Sequence, residues 1–286
     1  MKKSFLFISL CYLSLLFSNV FTQDRDERKG FRFGLNMGMY FPSKVSANYY
    51  NGSGFYDNNI DPNGVRLYSI EERLNLTQQE TQYITNFYNA SGGFDFPWDA
   101  YPTAMRYNGG FNIGFQTAYD FNNKSSLIFD LNVCKVKAYD RFTMQLIGTS
   151  GQLNGQNDIR LFNIEGNEQR LNLALGYRTG WALSGNGLYF MQFGGSMLGT
   201  KVVNNIAHVA DRNYELIIGA ANPAQMINYR PQTGIGFGYY FSTGFFLPLG
   251  TNKNAELSLA FSKDKMILNM NEFKGWNKLL TFCFSI

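Results

Sequence analysis

Met105-Arg106-Tyr107-Asn108-Gly109-Gly110-Phe111-Asn112-Ile113-Gly114-Phe115-Gln116-Thr117-Ala118-Tyr119 is the stretch whose reading decides the fold. Its odd positions carry Met105, Tyr107, Phe111, Ile113, Phe115 and Tyr119, and its even positions Arg106, Asn108, Asn112, Gln116 and small residues. Successive side chains on a strand point to opposite faces, so the segment has one apolar and one polar face. At about 15 residues it is longer than an ordinary soluble strand. A strand of that length and pattern points to an apolar face turned toward lipid, as in a transmembrane β-barrel.

The same alternation recurs on both sides. Phe31, Phe33, Leu35, Met37, Met39 and Phe41 alternate with Arg32, Gly34, Asn36, Gly38 and Tyr40 in a first strand. Leu127, Phe129, Leu131 and Val133 form the apolar face of the third, opposite Ile128, Asp130, Asn132 and Cys134. Past Lys135 the apolar positions change parity to Phe142, Met144 and Leu146. That change marks a bulge or the point of emergence from the membrane, and emergence is favoured because Ile159, Leu161 and Ile164 can pair back. A fourth strand sets Leu171, Leu173, Leu175 and Tyr177 against Arg170, Asn172 and Arg178, and a fifth sets Tyr189, Met191 and Phe193 against Gln192 and Ser196. Residues 200–230 read as irregular. A sixth strand opposes Ile235, Phe237, Tyr239, Phe241 and Phe245 to Gly234, Gly236, Gly238 and Ser242, and a seventh opposes Leu257, Leu259 and Phe261 to Glu256 and Ser258. After a link over 263–276, the last strand presents Leu280, Phe282, Phe284 and Ile286 on one face. Short connectors rich in turn residues alternate with long ones, the pattern of a barrel with both termini in the periplasm. The expected fold is therefore all-β: an eight-stranded antiparallel, up-and-down transmembrane β-barrel over 30–286. Residues 42–103 form its large extracellular cap, which contains a short helix.

Composition agrees. The 286 residues include 27 Phe, 18 Tyr and 29 Gly with only 16% charged, which suits aromatic girdles and a tightly packed lumen rather than a charged surface. Lys2 and Lys3 precede an apolar run to Phe17 and small or polar residues before Gln23, the build of a cleaved signal peptide over 1–22, with 23–29 as a periplasmic lead. Removing 1–22 leaves 23 basic against 21 acidic side chains, a balance that gives no reason to expect nucleic acid. Cys134 and Cys283 lie far apart in strands and read as buried free thiols.

The secretory leader, the eight alternating strands and a closing strand ending Leu280-Thr281-Phe282-Cys283-Phe284-Ser285-Ile286 together resemble small outer-membrane barrels of the OmpX and PorT-like kind. The resemblance covers roughly Gly30 to Ile286 and rests on pattern. It implies the outer membrane of a Gram-negative bacterium, contact with bilayer lipid and lipopolysaccharide, and, on the PorT-like side, a part in protein secretion or outer-membrane assembly. The closing strand resembles the signal read by the barrel-assembly machinery, although Ile286 stands last and the aromatic Phe284 two residues earlier.

Candidate sites fall into two groups. Arg32, Arg106, Asp130, Arg170, Arg178, Glu256 and Lys278 are read as inward-facing charges, and Arg32, Asp130, Arg178 and Glu256 are expected to meet as an interior ion-pair network, since unpaired buried charges are costly. An eight-stranded barrel is filled by side chains and is not a pore. The cap carries more aromatics than a solvated loop needs, and Tyr49, Tyr50, Phe55, Tyr56, Tyr83, Phe87, Tyr88 and Trp98 are the candidates for binding other outer-membrane or surface proteins. The competing expectation is that these rings fold inward as a lid. Thr77-Gln78-Gln79-Glu80 is a capping box opening a helix to about Ala90. His208, with Asp211 nearby, reads as a solvated loop histidine, and Asp57-x-Asn59-x-Asp61-Pro62-Asn63-Gly64 as a turn rather than a calcium loop. No catalytic residue, metal or cofactor is expected. The leading function is a non-enzymatic accessory subunit or docking module of a larger outer-membrane complex. A surface adhesin or small-ligand barrel is the alternative, and a lipid-modifying enzyme comes last.

Overall fold

The computed structural model describes residues 29–54, 65–149, 158–183, 187–219, 232–249, 253–268 and 271–286. The signal peptide, nearly all of the lead, Phe55, Tyr56 and the calcium-like stretch 57–64 lie outside them. Eight long strands run β1 Gly30–Phe41, β2 Gly110–Asp120, β3 Ser125–Ile147, β4 Asp158–Ala182, β5 Leu188–Val209, β6 Thr233–Pro248, β7 Asn254–Leu268 and β8 Asn271–Ser285. Each pairs antiparallel with the next, and β8 returns to β1, so the sheet closes into a ring with no open edge within the belt. Ile286 and Phe33 complete the seam with reciprocal backbone bonds of 2.9 and 3.1 Å. Closure is what lets a sheet sit in hydrocarbon, where an unpaired N–H or C=O has no water to turn to.

The outward faces are apolar around the whole ring. Phe33, Leu35, Phe111, Ile113, Val133, Leu175, Phe193, Phe237, Leu257, Leu280 and Phe282 are all exposed. Their inward neighbours are buried and polar: Asn36, Asn112, Asn132, Gln192, Ser242 and Thr281. This is inside-out relative to a soluble barrel. Gly238 belongs to the inward row, where a Cβ would collide with the Lys263 carbonyl and come within 2.8 Å of the Asp264 carboxylate.

Three of the sequence expectations concern the strands above the belt. First, β3 emerges from the belt without a bulge, with Ile159, Leu161 and Ile164 on the strand that pairs back to it, as expected; the other two change. The pairing of β3 with β4 runs in one register from Ser125↔Thr179 to Leu146↔Asp158, and even-numbered side chains face inward throughout. The parity of the apolar residues changes because the surroundings do: below, the outer face meets lipid, and above, the inner face meets the cap. Second, the described residues of 200–230 and 263–276, namely 200–219, 263–268 and 271–276, are largely strand. β5 continues to Val209 and folds back through a short strand, Arg212–Glu215, while β7 and β8 pair up to Leu268↔Asn271. Third, the stretch 105–119 contains a bulge. Tyr107 faces Ala138 and Asn112 faces Cys134, so five steps along one strand match four along the other. A one-residue slip exchanges the two faces. Above it, Met105 is fully buried in the cap, Tyr107 turns inward and Arg106, expected inside, is exposed.

The upper parts of β3, β4 and β5 project beyond the belt as a sheet, and the first long connector packs on its inner side. Buried Tyr49, Tyr50, Ile70, Leu74 and Ile84 from the connector meet Phe142, Met144, Leu146, Ile164, Ala207 and Val209 from the sheet. Among its described residues the connector contributes three α-helices: α1 Lys44–Ala47, α2 Ile70–Leu74 and α3 Gln78–Tyr88. Ser69 and Glu72 form a reciprocal capping box on α2, with bonds of 3.0 Å each way. On α3, Thr77 accepts the Glu80 N–H at 3.2 Å, but the Glu80 carboxylate turns to Arg73 at 2.7 Å. The helix stops at Asn89, whose φ of 51° is the left-handed cap. The same connector covers the free edge of upper β3 by pairing 93–95 and 106–107 to it, which removes an aggregation-prone edge.

Candidate functional site

Strand parity delivers the inward charges to three levels of the lumen. At the inner end Arg32 bonds Asp120 at 3.2 and 3.3 Å and the Ser285 hydroxyl at 3.3 Å, and its guanidinium lies 4.7 Å from the Phe246 ring centre. A step further in, Arg178 holds Glu256 with two parallel bonds of 2.7 Å and donates to the Gln192 amide oxygen at 3.0 Å. Asp130 makes no direct ion pair among the described residues. It accepts from the amides of Asn36 and Gln116, each at 3.1 Å, and from Gln192 at 3.5 Å.

Of the four residues expected to meet, Arg178 and Glu256 form an ion pair, and Asp130 reaches them only through Gln192. Arg32 pairs instead with Asp120, because Arg32 lies opposite Ala118 and the acid is the next inward residue along β2. Lys278 shares the parity of Leu280 and Phe282 and is exposed on the outer face.

The third level joins barrel to cap. Arg170, buried to 1% exposure, bonds Glu168 at 2.7 Å, the Tyr40 hydroxyl at 3.1 Å, the Ser46 hydroxyl at 2.9 Å and the Tyr107 hydroxyl at 3.2 Å. Tyr50 completes the cluster by donating to Glu168 at 2.8 Å. One guanidinium therefore ties β1, α1, the segment before β2 and β4 to a tyrosine of the cap. Gly166, one inward position above Glu168, makes room for this: a Cβ there would overlap the Tyr50 ring. Gly166→Val should accordingly displace Tyr50 and weaken the cap by about 1–3 kcal/mol. The check is faster proteolytic cleavage within the first connector while the barrel keeps its heat-modifiable mobility on gels.

Between the two lower pairs and the Arg170 cluster lies a chamber of about 70 Å³, lined by Asn36, Asp130, Asn172, Gln192, Tyr240 and Asn277 among others. Because the Arg178–Glu256 and Arg170–Glu168 pairs and their buried neighbours fill the lumen, the protein in planar bilayers should show no stable steps of porin size. Such steps would contradict the plugged lumen.

The cap aromatics divide. Tyr49 and Tyr50, expected as partner-binding groups, are fully buried and pack edge-to-face at 5.1 Å, so they belong to the lid core. On α3, Tyr83 and Tyr88 are partly buried against the cap core and Phe87 points outward. The Tyr83 hydroxyl bonds Asp211, Arg212 covers the Tyr83 ring, and Arg160 covers the Tyr88 ring. Phe87 stays 48% exposed and Trp98 94% exposed. His208 sits on β5 rather than in a loop, with Nδ1 2.7 Å from Asn213 and Nε2 3.5 Å from Glu165. Burial raises the Glu165 carboxyl, but the bond and charge of Lys137, helped by His208, outweigh it and hold the group below its usual range. Burial also holds the Glu215 carboxyl above its usual range, although the N–H groups of Asn205, Leu216 and Ile217 oppose the shift. Cys134 and Cys283 are free and buried.

A closed eight-stranded antiparallel ring with an apolar outer belt, a side-chain-filled lumen and a folded cap defines a small β-barrel membrane protein of the outer-membrane type. Solved structures similar to this chain are outer-membrane and surface proteins. They include the outer membrane protein OprG from Pseudomonas aeruginosa (10% identity, 92% of this chain and 99% of that one, TM-score 0.39) and Neisserial surface protein A (8%, 92% and 99%, 0.40). A third is Ail, the attachment invasion locus protein of Yersinia pestis, in complex with the heparin analogue sucrose octasulfate (10%, 90% and 99%, 0.33). No protein-family model and no curated protein matches the chain.

Proposed function

We propose that this protein is a non-enzymatic docking subunit of the Gram-negative outer membrane, with both termini periplasmic and the cap presented outside. The observation that carries this reading is a rigidly mounted apolar tip. The cap is anchored to the lumen through Arg170, yet at its far end Trp98, Ile159 and Leu161 stand 94%, 55% and 64% exposed. Asp95 pairs with Gln145 and Ala100 accepts from Thr143, while Gln145 and Thr143 face Ile159 and Leu161, so these side chains share one end of the projecting sheet. Exposed apolar groups clustered on a preorganised support are the mark of a protein-binding surface. With the resemblance to PorT-like barrels, a complex for protein secretion or outer-membrane assembly is the specific role.

Purification in mild detergent should bring down stoichiometric companions. Trp98→Ala with Leu161→Ser should release them while the barrel stays folded. A monodisperse protein without companions, or companions retained by the double variant, would count against the docking role and leave the adhesin alternative.

A further inference from the structure

The lumen holds more acid than base. From Arg32 at the inner end to the Arg170 cluster beneath the cap, its described wall carries three arginines and five carboxylates. Arg32, Arg170 and Arg178 are each bound to one acid, respectively Asp120, Glu168 and Glu256. Asp130 and Asp264 are left over, with no direct ion pair among the described residues. Asp264, buried, is held by neutral donors: the Ser196 and Ser262 hydroxyls, each at 2.6 Å, and the Asn277 amide at 2.8 Å. Asp130 is held by the amides of Asn36, Gln116 and Gln192. Taking a carboxylate out of water without a counter-charge is costly, so the surplus calls for a cation or a proton.

The chamber of about 70 Å³ is lined by Asp130 together with Asn36, Ser196 and Ser262. Asn36 is 1% exposed, and its Nδ2 donates to Asp130 at 3.1 Å and to Asn132 at 3.4 Å, which fixes the orientation of the amide. Its Oδ1, also buried, meets no donor among the described residues. A buried acceptor of that kind marks a place for an ion or a water. The two serines add oxygens of the same character: each spends its proton on Asp264, so it turns a lone pair to any other neighbour. We propose that the chamber is a site for a monovalent alkali cation, held by the Asp130 carboxylate, Asn36 Oδ1 and the hydroxyl oxygens of Ser196 and Ser262. Carboxylate, carbonyl and hydroxyl oxygens are hard ligands, and one unpaired carboxylate among neutral oxygens balances a single positive charge, whereas calcium sites gather several carboxylates. The chamber is several times larger than the ~10–15 Å³ that one water needs, so an ion fits with part of its water shell. Arg178 does not fill this role, since it is committed to Glu256 by two bonds of 2.7 Å. The site depends on the lumen alone, so it stands or falls independently of the docking role.

The test follows urea unfolding of the whole protein in detergent micelles, with choline chloride replaced at equal ionic strength by sodium or potassium chloride. For a dissociation constant of about 1 mM, about 100 mM of the preferred alkali salt should raise the folding equilibrium constant about 100-fold over choline. Asp130→Asn keeps an acceptor for Asn36 and Gln116 and should lose that dependence. Asn36→Lys, which ties an ammonium beside Asp130, should lose it too, while matching in choline the stability of the parent in alkali salt; it decides the matter if Asp130→Asn does not fold. Glu272→Gln, whose carboxylate pairs with Lys265 and Lys274 at exposed positions, should keep the dependence. Equal stability of the parent in all three salts, or an alkali effect that survives in the lumen variants, would overturn the proposal. So would an infrared band of a protonated carboxyl that Asp130→Asn removes, because a proton would then be the neutralising charge.

Discussion

Arg170→Met is expected to destabilise the protein by about 3–5 kcal/mol, because it leaves the Glu168 carboxylate buried with no cation beside it. Arg170 itself donates to Glu168, Tyr40, Ser46 and Tyr107, so its loss also removes the donor to three buried hydroxyls, of which Tyr107 and Ser46 still bond each other. The damage should be local at first. The strand ring does not depend on Arg170, whereas the cap meets the lumen through it, so trypsin should open the first connector before urea unfolds the barrel. The double variant Glu168→Gln, Arg170→Met should recover much of the loss, since the uncompensated charge rather than the missing bond is the larger penalty. Urea unfolding in detergent, read alongside cap proteolysis, checks both. Equal damage in single and double variants would assign the loss to packing rather than charge.

Phe193→Arg is the second large effect. Phe193 projects from β5 at the middle of the belt, opposite Tyr177 on one side and Phe241 on the other, and is 57% exposed. A charge at the bilayer midplane of such a barrel costs about 2–4 kcal/mol, falling to about 0–1 near the interfaces. Asn167→Arg, on the same outer face but two rows above the belt, should therefore be nearly neutral. Folding into lipid vesicles measures the difference. Two variants of similar stability would mean that the outer face of β5 is not in hydrocarbon.

The ring of eight strands was legible wherever one face meets lipid, because that contact writes a period of two into the sequence. Phe31 to Phe41 and Leu127 to Val133 are examples. Above the belt the same backbone continues with the chemistry of its faces exchanged, so β5 beyond Thr200 and β7 beyond Lys263 read as irregular although their hydrogen-bonded pairing continues. The bulge at 108–111 was hidden because Met105 and Tyr107 happen to keep the apolar parity of Phe111. Among the inward charges, parity alone also places two acids: Asp120 continues the row of Gln116 and Ala118, and Glu168 that of Arg170. Lys278 shares the row of Leu280 and faces out. Which cation meets which acid was not legible, since partners are set by inter-strand register. Nor was the division of the cap rings between the core, which takes Tyr49 and Tyr50, and the surface, which keeps Trp98.

The central claim is that the odd face of β2 lies in lipid and its even face in a packed lumen. A nitroxide scan from Phe111 to Ala118 in vesicles, recording collision with dissolved oxygen against a water-soluble nickel complex, measures this residue by residue. High oxygen accessibility at 111, 113, 115 and 117, with low accessibility to both reagents at 112, 114, 116 and 118, is the predicted result. Nickel access along either face, or the absence of a two-residue period, would contradict it.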